Sequence, residues 1–245
     1  MVAVTDVGVV IPARNEESSI GAAVSSVALA CARVATRCTI VVVDDASTDR
    51  TSVAAQQALT RHDGPGFVIS VRAGRASRAR AAGEAVFSRT IDRPRHAWLL
   101  SMDADSIVRD DWVECYLAHA ELGALAVAGV VELINDDDGR RIGAAWWDDY
   151  GATIAPDRTH PHVHAANLGV RLDVYRAAGG FADLARAEDI DLWRRIREMG
   201  HEPVADADLV VATSARLSGR VDVGFAAALG RLYGDAPPTP ATVTR

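Results

Sequence analysis

Short runs of continuous apolar residues punctuate the first half of the chain. Each is followed by a stretch whose apolar residues recur about every 3.6 positions. VGVVIP (Val7 to Pro12), TIVVVD from Thr39, FVISV (Phe67 to Val71) and AWLLSMD ending on Asp103 read as strands. Between them, ESSIGAAVSSVALACARVA, TDRTSVAAQQALTR and SRARAAGEAVFSRTI read as helices. The strand runs do not alternate apolar with polar, as expected when helices cover both faces of a sheet. This order of strands and helices predicts a parallel, doubly wound α/β sheet. Ligands of such a sheet sit beyond the carboxyl ends of its strands, so the polar residues after each run are where chemistry is sought.

The second half is less regular. DDWVECYLAHAEL reads as a helix, ALAVAGVVEL as a strand, and INDDDGRRIGAAWWDDYGATIAPDRTHPHVH as a long loop with room for a short helix. Gly179 and Gly180 stop a helix in DVYRAAGGF. EDIDLWRRIREMGH is amphipathic, with Ile190, Trp193, Ile196 and Met199 as its predicted apolar face and Gly200 as its end. Residues 235–245, in the Pro- and Thr-rich tail, are expected to be disordered. There is no internal repeat.

Composition narrows the chemistry. With 49% hydrophobic residues among 245, the chain can bury a full core without disulfides. Cys31, Cys38 and Cys115 are odd in number and match no metal-ligand spacing, so they read as buried thiols of a cytoplasmic protein. No run approaches the roughly 18 apolar residues of a membrane span, and MVAVTD lacks the basic leader of a signal peptide. A net charge of -7 argues against nucleic acid or an anionic membrane as a general partner. All the basic residues are arginine. That excludes Schiff-base lysine chemistry and the lysine-bearing phosphate loop. Any phosphate must be held by guanidinium, backbone amides or metal.

The strand ends carry PARNEE (Pro12 to Glu17), DDASTD, RAGRASRAR with Arg72, Arg75, Arg78 and Arg80, and DADS. Side by side on a parallel sheet, they place carboxylates around an arginine-rich segment. A nucleoside diphosphate with a divalent cation satisfies both signs, and Asp105 and Asp103 offer hard oxygen ligands to Mg²⁺ or Mn²⁺. Plainer readings exist: acids favoured at a helix start, cap and turn residues in DDASTD, a solvated face for the arginines. DAD resists such a reading, because paired acids repel without a counter-charge.

Together VVIPARNEE, IVVVDDASTDRT, DAD, NLGVRLDVYRAAGGF and EDIDLWRRIREMGH, spread over Val7 to Arg220, resemble the family-two glycosyltransferases of the GT-A fold. The resemblance implies a single domain over 1–234, with a Rossmann-like nucleotide-binding half over about 1–105 and an acceptor-binding half over 106–234. It implies a nucleotide-sugar donor, with uridine diphosphate the commonest carrier, and a small-molecule, glycan or lipid-linked acceptor. Pro12, Ala13, Arg14, Asn15 and Glu16 would line base and ribose, and Asp45 the base edge. Arg75 and Arg80 would lie near the base or diphosphate. Asp103 would sit by the ribose, joined through Ala104 to Asp105, which would hold the metal. Asn167, Gly180, Phe181 and Trp193 would shape the sugar and acceptor side. Asp189, with Glu188 beside it, looks like the general base of an inverting transfer.

The chain departs from that pattern in two places. Ala79-Arg80-Ala81 stands where the family often has A-R-N, and Thr213 and Ser214 stand where some relatives have a histidine ligand. His162 and His164 read as a solvated loop pair or as substitute ligands. Trp146, Trp147 and Tyr150 read as a stacking surface or as core. A haloacid-type phosphatase would use Asp103 as nucleophile but needs a lysine. A dinucleotide oxidoreductase needs G-x-G-x-x-G after the first strand, which is missing. A non-catalytic nucleotide-binding scaffold stays open, as does peripheral membrane contact.

Overall fold

A computed structural model describes residues 3–134 and 148–214. Among the described residues eight strands form one sheet: β1 (Asp6–Ala13), β2 (Arg37–Asp45), β3 (Gly66–Val71), β4 (Ala97–Ser101), β5 (Ser106–Val108), β6 (Ala126–Ile134), β7 (Leu168–Arg171) and β8 (Val204–Ser214). Their spatial order is β3-β2-β1-β4-β7-β6-β8-β5. The first four strands in that order are mutually parallel. Beyond β4 the sheet is mixed: β7 runs antiparallel to β4 and β6, β8 parallel to β6, and β5 antiparallel to β8. The sheet is α/β and mostly parallel, as expected.

Successive side chains of one strand enter opposite cores, which is why the runs are apolar throughout. Val7, Val9 and Ile11 of β1 pack with α1 (Ile20–Ala32), α2 (Thr51–Leu59) and α4 (Trp112–Glu121). Val10 of β1, with Val41 and Val43 of β2, packs with α3 (Ala76–Ser88), α5 (Leu172–Ala177) and α6 (Glu188–Glu198) on the other face. Gly83 lets α3 approach closely: a Cβ there would lie 2.4 Å from Val10 and 2.9 Å from Val43. This brings the arginine-rich start of α3 to the strand tips.

Three local expectations need correcting or extending. The buried face of α6 is Leu192 and Ile196, whereas Ile190 and Met199 are 56% and 40% exposed. A strict three-residue spacing spirals around a helix, so residues nine apart point about half a turn from one another. β5, β7 and β8 were not anticipated; β5 and β7, at three and four residues, are too short to show a period, and the eleven residues of β8 were assigned no element. The tail, Trp146 and Trp147 lie outside the described residues. Among the described residues no helix is long and apolar enough to cross a membrane.

Candidate active site

The first loops of the sheet are laced together by side chains. Asn15, in a left-handed conformation (φ 54°), accepts the Thr48 N–H at 2.7 Å, while its own N–H donates to Ser47 Oγ at 2.9 Å. Glu16 is buried; its N–H donates to Thr51 Oγ1 at 2.8 Å, and its carboxylate accepts Ser19 Oγ at 2.8 Å. Asp45 is buried too, and its Oδ1 accepts the N–H groups of Ala73 (2.6 Å) and Gly74 (3.0 Å). Asn15, Glu16 and Asp45 thus hold three loops as one edge at the strand tips. Along it Pro12 is half-buried, Ala13 buried and Arg14 exposed.

The arginines after β3 reach across to residues 183 and 188, more than a hundred positions further along the chain. Arg75 and Arg78 both bind Asp183, at 3.0 Å and 2.5 Å. Hydrogen bonding to Arg78, then to Arg75, holds the Asp183 carboxyl below its ordinary range. Arg80 is only 4% exposed. Its Nε donates to Ser101 Oγ at 2.9 Å, its Nη1 to Glu188 Oε1 at 2.9 Å and its Nη2 to Asp103 Oδ1. The guanidinium also lies over the Phe181 ring, 5.7 Å from its centroid. Burial pushes the Glu188 carboxyl up, with Arg80 opposing. Expected at base or diphosphate, these arginines are engaged by Asp183, Asp103 and Glu188. The chain itself supplies a counter-charge to the first acid of DAD.

At the tip of β4, the Asp103 side chain is 38% exposed; Ala104 is buried and Asp105 half-buried in the turn to β5. Beside them Ser106 pairs with Thr213 across the sheet, Oγ to Oγ1 at 2.9 Å. Among the described residues no group of three or more His, Cys, Asp or Glu side chains converges on a metal position. Two carboxylates suit Mg²⁺ or Mn²⁺ only if phosphate oxygens and water complete the shell, which is how such cations are usually held.

Asp189 opens α6. Its Oδ2 accepts the Ala165 N–H at 2.8 Å and its Oδ1 the Ile190 N–H at 2.8 Å. Just before the pair, Ala187 is left-handed at φ 59°, a conformation rarely adopted by residues with a Cβ and concentrated at functional turns. Across from Asp189, HPHVH is packed rather than solvated. Tyr150 stacks on His162 with ring centroids 3.8 Å apart and shares a 3.0 Å hydrogen bond with His164 Nε2. Tyr150 is therefore buried and offers no open stacking face.

Burial lowers the pKa of His160, His162 and His164, the last to about 4 despite the opposing pull of Asp189. Unfolded, these imidazoles take up protons near 6.5. Between that value and about 4 the unfolded chain binds more protons, so stability is whole above pH 6.5 and falls as pH drops. Urea midpoints measured from pH 7 to pH 4 should decline, and His164→Gln should flatten the decline. An equal slope in the variant contradicts this.

Asn167 is a correction. It is wholly buried, its Oδ1 accepting Trp112 Nε1 and Tyr116 Oη at 3.0 Å each, its Nδ2 donating to the Val130 and Leu209 carbonyls at 2.8 Å each. Every hydrogen-bonding position of the amide is used within the core, leaving none for an acceptor. Gly180 (φ 65°) ends α5, its carbonyl held by Arg195 at 2.7 Å. Phe181 is buried edge-on to Tyr175, and Trp193 is half-buried against the same core. Sequence reasoning missed Ser101, Asp183 and Arg195. Only Arg195 left a trace, its four-residue spacing from Asp191, which it binds at 2.8 Å.

A parallel half-sheet with loops locked at its tips, an acidic strand end and an acid pair opening a helix from the other half together define a GT-A-like α/β protein. The profile described as Glycosyl transferase family 2 matches residues 8–177, and the chain belongs to that family. No curated protein matches the chain in sequence. Among solved structures, the mannosyltransferase PcManGT from Pyrobaculum calidifontis, in complex with GDP-Man and Mn²⁺, is 19% identical with TM-score 0.65, covering 87% of this chain and 58% of that one. S. aureus TarS 1–349 with UDP-GlcNAc is 14% identical with TM-score 0.64, covering 93% and 65%. A longer TarS structure has TM-score 0.62 at 14% identity, covering 86% of this chain and 37% of that one. These likenesses concern the fold, and the chain spans less than two thirds of each relative.

Proposed function

We propose that the chain transfers a sugar from a nucleoside-diphosphate donor, of the uridine class, to an acceptor hydroxyl with inversion at the anomeric carbon. The observation that carries this reading is one guanidinium, Arg80, joining Asp103 at the donor-side strand tip to Glu188 beside Asp189. Both acidic motifs thereby meet at one place, as a displacement with a leaving group on one side and a base on the other requires. Pro12 to Glu16 and Asp45 form the edge for base and ribose. Asp105, with Asp103, would hold Mg²⁺ or Mn²⁺. That cation, when bound, would stabilise the charge developing on the departing diphosphate. Asp189, in the first turn of α6, takes the acceptor proton. Phe181, Gly180 and Trp193 support the acceptor side, open to a small-molecule, glycan or lipid-linked hydroxyl in the cytoplasm.

The nucleotide-sugar complexes of TarS and PcManGT support the donor class, and the Mn²⁺ in the latter supports the cation. The test is a thermal-shift panel of UDP-, GDP- and dTDP-sugars with and without Mn²⁺. A donor at a hundred times its Kd should stabilise the fold by about 2.7 kcal/mol. The UDP-sugars should shift most, and Asp105→Ala should abolish the Mn²⁺-dependent part. Failure of every nucleotide to shift the melt contradicts the reading. Binding without any turnover leaves a nucleotide-binding scaffold.

A further inference from the structure

An arginine that grips phosphate must present free N–H groups to the ligand. Arg80 donates three of its five N–H groups to protein oxygens, on Ser101, Asp103 and Glu188, and at 4% exposure is almost closed to an outside ligand. Ser101 ends β4 and Asp103 follows it, so two arms of the fork grip the donor-side strand tip. The third arm holds the first residue of α6. On the far side of that turn, Asp189 is fixed by the Ala165 N–H. The neighbouring ties from Arg75 and Arg78 to Asp183 are about half exposed, where ion pairs contribute little. The link through Arg80 is better shielded, with the Arg80 side chain 4% and the Glu188 side chain 13% exposed.

We propose that Arg80 is a positioning residue. It holds the first turn of α6, and with it Asp189, in register with the Asp103 strand tip, so that filling the donor corner is felt at the base. The proposal rests on the glycosyl-transfer reading for the role of Asp189. It does not need that reading for the mechanical link.

Amide hydrogen exchange on the full chain tests both parts. Without ligand, Arg80→Gln should speed exchange over residues 188–192 by about tenfold or more, with β1 and β2 as protected as in the parent. Arg80→Lys, a single point charge in place of a fork, should recover only part of that protection. UDP with Mn²⁺ should slow exchange over 188–192 in the parent and leave it unchanged in Arg80→Gln. Unaltered exchange there in the ligand-free variant, or ligand-induced slowing that persists in it, overturns the proposal.

If Arg80→Gln loses the protection of β1 and β2, Glu188→Ala, which has no oxygen to accept from Arg80, is read instead. It removes one arm and keeps the grip on Ser101 and Asp103, so exchange should rise over 188–192 alone. A rise at the strand tip as well, or none at all, overturns the proposal. A parent protein whose melt UDP and Mn²⁺ do not shift counts against the donor reading. The ligand-free comparison still decides the link.

Discussion

Asn167→Ala is expected to lower the unfolding free energy by about 3–5 kcal/mol, the largest stability effect of any single polar side chain described above. The amide joins Trp112 and Tyr116 of α4 to Val130 of β6 and Leu209 of β8. Removing it leaves an indole N–H, a phenol and two backbone carbonyls unsatisfied in a place closed to water. Each such group costs about 1–3 kcal/mol, with relaxation recovering part. Burial already pushes the Tyr116 hydroxyl well above its ordinary pKa, so ionisation offers no relief. Urea unfolding with an unchanged m-value is the measurement. An Asn167 that served an acceptor from the surface would cost within about 0.5 kcal/mol on truncation, and such a result would return it to the site.

That residue shows where sequence stops informing structure. NLGVR gives no sign that its asparagine is internal, because its partners come from residues 112, 116, 130 and 209 on three other elements. The first four strands were legible for the opposite reason. Each is buried on both faces, and a run such as Val41 to Val43 has no other stable reading. Helix α6 was legible as a helix but not in its rotation. Its docking face is set by Leu192 and Ile196 with Arg195, which ties it to the end of α5, rather than by the most apolar positions on paper.

The arginines after β3 repeat the point in electrostatics. Their charge foretold acidic partners but not which ones. Asp183 and Glu188 lie more than a hundred residues along the chain from them, and no local spacing encodes such a pairing. The acidic strand end was recognisable as a place needing positive charge. Part of that charge is Arg80, within the chain; the rest is assigned by proposal to a cation shared with the donor. DAD alone does not reveal that its first acid is held by Arg80 from the start of α3.

Asp189→Asn should reduce turnover by about 10²–10⁴-fold, the usual contribution of a positioned base, while nucleotide-induced stabilisation stays within about twofold in apparent affinity. The amide oxygen of asparagine can still accept the Ala165 N–H that holds Asp189 at 2.8 Å, and only the bond from the adjoining Ile190 N–H is given up, so the tie between the helix start and Ala165 is kept. What is lost is the negative charge that the proposed transfer needs to take up the acceptor's proton. Initial rates of sugar transfer, alongside the thermal shift with donor, separate chemistry from binding. Retention of more than about a tenth of the parent rate would remove Asp189 from the base role. In the parent, the anomeric configuration of the product provides an independent check. A single base and direct attack give inversion, whereas retention would demand a second displacement and a nucleophile that this assignment does not supply.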